Sequence, residues 1–67
     1  MKIGTPADHV LRMVGWEPDK ATAPPKVIGV DEEGWVMQWY YPNRIVTLKR
    51  SGGVYRVAEV RRHADIT

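Results

Sequence analysis

Between Gly34 and Tyr41 the chain reads Gly-Trp-Val-Met-Gln-Trp-Tyr-Tyr, and two of the three tryptophans and two of the three tyrosines fall here. Successive side chains of an extended strand point to opposite sides. Trp35, Met37, Trp39 and Tyr41 therefore form one set, and Val36, Gln38 and Tyr40 the other. Both sets carry large apolar surface, which a half-exposed hairpin would not need. The stretch predicts a central strand in a small barrel or curled sheet, with another element on its outer face.

Downstream, turn signals recur at short intervals. Lys26 to Val30 is a β-branched run, and Asp31-Glu32-Glu33-Gly34 reads as a turn closed by a glycine free to take positive φ. Pro42-Asn43 marks the next turn, followed by the alternating stretch Arg44 to Arg50. Ser51-Gly52-Gly53 is a tight-hairpin signal before a strand at Val54 to Val57. Ala58-Glu59-Val60 is expected to turn through one 3₁₀ step into a last short strand at Arg61 to His63, with a frayed tail over Ala64 to Thr67.

Upstream, Thr5-Pro6-Ala7-Asp8 looks like a helix start: a hydroxyl N-cap, a proline with suitable φ, and an acid for the helix dipole. Ala7, Val10, Leu11 and Val14 follow one apolar stripe, and Gly15 can stop the helix with Trp16 folded back on Leu11. A helix over about 5–15 is too short to persist alone, so it must dock, and the outer face of the central strand is the expected site. Glu17 to Pro25, with Pro18, Pro24 and Pro25, reads as a linker before a β-region over 26–63.

These 67 residues make one domain with a small core. The absence of cysteine rules out disulfides and Cys-ligated zinc, and the absence of phenylalanine leaves the aromatic bulk to Trp and Tyr. No apolar run approaches membrane-spanning length and no signal-peptide core opens the chain, so a cytoplasmic protein without a membrane partner is expected.

The order of strand, acidic turn with Gly34-Trp35-Val36, hairpin-linked strands and the close at Tyr55-Arg56-Val57-Ala58-Glu59-Val60 resembles the SH3-like small barrels, including tudor-like and KOW-like modules. The resemblance covers about Val27 to Arg62. It implies a mainly β fold, a small antiparallel barrel of four to five strands with a short N-terminal helix, and binding of nucleic acids or peptides. A four-stranded sheet with the helix across one face is the alternative architecture. A fainter likeness, through Trp39-Tyr40, the Asn43 turn and Val54-Tyr55, is to the plasmid-type dihydrofolate reductases, which place a Val-Gln-Ile-Tyr stretch around a shared pore. Gly53-Val54-Tyr55 keeps the tyrosine and has no glutamine.

No enzyme motif accompanies this pattern. Asp31, Glu32 and Glu33 lie in a turn, where acids face solvent. His9 and His63 are too few for a transition-metal site. Ser51 has no neighbouring base, and its glycines lack the lysine of a phosphate loop. The expectation is a non-enzymatic module without metal or cofactor.

Charge supplies the remaining signal. Residues 1–33 balance at −2 and residues 34–67 at +4, with five of six arginines in the second half. A barrel this small cannot enclose every aromatic, and Tyr40, Tyr41 and Tyr55 are the candidates for exposure. An exposed tyrosine can stack on an unpaired base while arginine holds phosphate. Arg44, Arg50, Arg56, Arg61 and Arg62, with Tyr40 and Tyr55, are therefore the expected nucleic-acid-binding set, forming a positive rim. The second reading is a protein-interaction or self-assembly module using the same aromatics, with a homodimer or small oligomer as its product.

Overall fold

In the computed structural model, which describes residues 2–63, all three turn signals become two-residue hairpins. They join four antiparallel strands: β1 (Ala23–Asp31), β2 (Gly34–Tyr41), β3 (Arg44–Ser51) and β4 (Val54–Arg62). Gly52 and Gly53 have φ of 63° and 81°, the left-handed conformation that a tight hairpin demands at both central positions. The first hairpin is held differently. Asp31 Oδ1 accepts the backbone N–H of Glu33 at 2.9 Å and of Gly34 at 3.1 Å.

The sheet order is β1-β2-β3-β4, so the ladder does not close: β1 and β4 are its two ends. The alternative expected from the sequence, a four-stranded sheet with a helical segment across one face, describes this arrangement better than a closed barrel. The outer edge of β4 is paired by the N-terminal lead. Gly4 N–H donates to Val57 O at 2.7 Å, and Val57 N–H donates to Thr5 O at 2.9 Å. The other edge, β1, carries Pro24 and Pro25 and two register irregularities. Proline lacks the N–H that a further strand would need, and bulges turn an edge away from pairing.

Register assigns every side chain to a face. One face stacks Val27, Met37, Leu48 and Val57 in one row and Trp39, Val46 and Val60 in the next. The N-terminal segment packs here through α1 (Ala7–Val10), and Val10 joins Tyr41, Val46, Leu48 and Val57 as the buried core. Fully burying a Val or Leu side chain is worth about 1.5–3 kcal/mol, so the four aliphatic members of this core make a thin margin.

Several expectations are corrected. The helix is one turn, not residues 5–15. Thr5 is not its cap: the hydroxyl donates to Lys2 O at 2.7 Å, and Pro6 precedes the helix without a side-chain cap bond. After Val10 the chain winds through irregular turns to Gly15, at φ 85°, so the apolar stripe does not propagate. Val14 is 93% exposed and Leu11 half-buried. The helix docks by β4 rather than over β2, because residues 4–6 are already tied to that strand. Trp16 packs against the core and Tyr41.

The linker is shorter too. A 3₁₀ turn spans Pro18–Lys20, and β1 begins at Ala23 with both prolines inside it, as an edge strand permits. The break expected at Ala58 is instead a bulge inside one continuous β4. Val57 and Val60, three residues apart, reach the same face because of it. The tail expected over 64–67 lies outside the described residues.

Candidate functional site

The second face of the sheet is uncovered. It carries the rows Val36–Lys49–Arg56, Lys26–Gln38–Thr47–Glu59 and Tyr40–Ile45–Arg61. None of these side chains is buried. Four are cations and one is an acid, so the face is positive. Its centre is a polar relay: Tyr40 Oη donates to Gln38 Oε1 at 3.1 Å, and Gln38 Nε2 approaches Thr47 Oγ1 at 3.5 Å. Ile28 and Ile45 flank a shallow cleft of about 330 Å³ beside it, closed by Glu59 and Arg61. The Arg61–Glu59 pair, at 3.4 Å, is exposed on both sides. Such pairs contribute at most about 1 kcal/mol, so Arg61 can exchange this partner for another anion.

The expected arginine rim is divided between two faces and two ends. Arg44 and Arg50 share the packed side with Val46 and Leu48, as the alternation of β3 requires, and emerge at its opposite ends. Arg44 is held within the protein. Its guanidinium stacks 3.6 Å from the Trp16 ring centroid and 4.8 Å from that of Tyr41. It donates to Gly15 O at 2.7 Å and to Asn43 Oδ1 at 2.6 Å, while its Nε is buried without a partner. Arg62 is its direct cross-strand neighbour. Arg56 belongs to the open face but donates to Gly4 O at 3.1 Å. Arg50 pairs in register with Tyr55 at the far end of the packed side, and its aliphatic stem crosses Gly34.

Two tyrosine–arginine combinations from the expected set therefore share a face and a row: Tyr40 with Arg61 on the open face, and Tyr55 with Arg50 on the other. Tyr41 is buried, and its hydroxyl donates to Trp16 O at 2.9 Å. Sequence reasoning overlooked Lys26 and Lys49, which border Tyr40's face. The signal for Lys49 was its parity with Thr47 and Ile45. Lys26 had none, because the irregularities of β1 hide its register. Trp35, which was not among the aromatics expected to be exposed, is 56% exposed at the strand's end.

Among the described residues no three His, Asp or Glu side chains converge as metal ligands. No helix among them is long and apolar enough to cross a membrane. No family model matches the chain, and no curated protein or solved structure matches it.

Proposed function

We propose that this protein is a small non-enzymatic binding module that takes single-stranded nucleic acid on its open sheet face. The observation carrying this reading is that Tyr40 and Arg61 stand on either side of Ile45 in one row of an uncovered, positive face that also carries Lys26 and Lys49. A half-exposed aromatic ring offers a stacking surface to any unpaired base, and the cations around it meet the phosphates. Stacking on Tyr40 needs the open face of an unpaired base, so the single strand is the preferred form. An SH3-like kinship belongs to the same reading, supported by the succession of hairpin-linked strands. Barrel closure is no part of it.

The test is a fluorescence-anisotropy titration with short single-stranded DNA and RNA, and with a duplex, at several salt concentrations. Lys26→Ala, Lys49→Ala and Arg61→Ala each remove one cation from a phosphate, and each should lower the log–log salt slope by about 0.7. Tyr40→Ala should cost about 1–3 kcal/mol of affinity. Absence of binding at high micromolar protein and low salt would overturn the proposal.

A further inference from the structure

At the end of the packed side the cover of the sheet runs out. Val30 and Trp35 are register partners there, 73% and 56% exposed, and Val27 beside them is 44% exposed. The bulge at Ile28 places Val27 and Val30 on one side, so the three form a continuous apolar patch around a tryptophan. Patches of this kind on a small domain mark interaction surfaces. Strand addition along the neighbouring β1 edge is obstructed by Pro24, Pro25 and the bulges. A partner must therefore cover the side chains face to face.

The charges bordering the patch indicate which partner fits. On one side lies the turn with Asp31, Glu32 and Glu33, all exposed. On the adjoining β3 side lies Arg50, whose stem packs against Gly34 at the close of that turn without forming an ion pair to any of the three acids. An acidic border and an adjoining basic border of one apolar centre are self-complementary under a two-fold axis that runs between them, where the contact of i with j is repeated as j with i. Covering the patch also supplies apolar burial to a chain that has no cysteine and, among its described residues, five buried in the core. Small domains commonly gain such support by oligomerising.

We infer that a second copy of this chain docks on the Val27/Val30/Trp35 patch, forming a two-fold dimer in which Arg50 of each copy meets the Glu32–Glu33 turn of the other. This surface lies on the opposite side of the sheet from the proposed nucleic-acid face, and the dimer does not depend on that proposal.

Sedimentation equilibrium on the nucleic-acid-free protein tests it, with circular dichroism confirming that each variant is folded. The wild type should approach twice the 7.6 kDa chain mass at high micromolar concentration. Trp35→Ser should weaken association at least about tenfold, as removal of a central aromatic anchor does. Arg50→Glu alone, and Glu32→Arg with Glu33→Arg alone, should each be monomeric, because both borders then carry one sign. An equimolar mixture of these two variants should form a heterodimer, since every border again meets its opposite. A monomeric wild type, a dimer indifferent to Trp35→Ser, or no heterodimer on mixing would each overturn the inference.

Discussion

Tyr41 shows how much one side chain can hold in a protein this size. Its ring lies edge-on to Trp16, with centroids 5.3 Å apart, and its hydroxyl reaches Trp16 O. The Arg44 guanidinium lies over both rings. Sheet end and N-terminal segment are thereby joined through three side chains. Burial raises the Tyr41 pKa above its ordinary value of 10.0, nearby Arg44 opposes the shift, and Glu17 adds to it. The folded state thus holds this proton more tightly than the unfolded chain. The resulting stabilisation is complete below about pH 10 and is lost as pH rises through the folded value. Tyr41→Phe should remove that part of the alkaline decline and cost about 1 kcal/mol at neutral pH through the missing hydrogen bond. Urea unfolding of both proteins from pH 7 to 11 checks this; parallel alkaline declines would contradict it.

At the scale of elements, a single turn of helix cannot be stable by itself, so α1 exists because Val10 is inserted into the sheet's core. The lead before it is fastened to β4 by backbone bonds on either side of Val57. Position in the stripe therefore matters less than position against the strand. Val10→Ala should destabilise the protein by roughly 2 kcal/mol, from reduced burial and the space left behind. Val14→Ala, at a site nearly as apolar in sequence but open to water, should change stability by less than about 0.5 kcal/mol. Equal effects in chemical denaturation would refute this placement of the N-terminal segment.

Across the whole molecule, protection should fall from the middle of the sheet outward. β3 is paired on both sides and supplies Val46 and Leu48 to the core. β1 is paired on one side and contributes no buried side chain. Local opening is easiest where little apolar packing must be broken. In dilute solution the ladder amides of β1 should exchange with deuterium at least about tenfold faster than those of Val46 and Leu48. Uniform exchange across the sheet would show that β1 opens only with global unfolding.

The alternation in Gly34–Tyr41 and Arg44–Arg50, punctuated by Asp31–Gly34, Pro42-Asn43 and Ser51-Gly52-Gly53, determined the three hairpins by itself. Strand parity and turn chemistry are local properties, carried by adjacent residues. Parity also placed Arg44 and Arg50 at the ends of the side that buries Val46 and Leu48. The bulges at Ile28 and Ala58 were not legible, because an extra residue is accommodated by the strand opposite rather than by its own neighbours. They decide that Val27 joins Val30 and that Val57 joins Val60, and so where each face is apolar. Only the tertiary structure decided which face the N-terminal segment covers. That choice follows from backbone pairing between residues 4–6 and β4, about fifty positions apart, which no local pattern encodes. It buried Tyr41, engaged Arg44 within the protein, and left Tyr40, Arg61 and the lysines on the opposite face open to solvent.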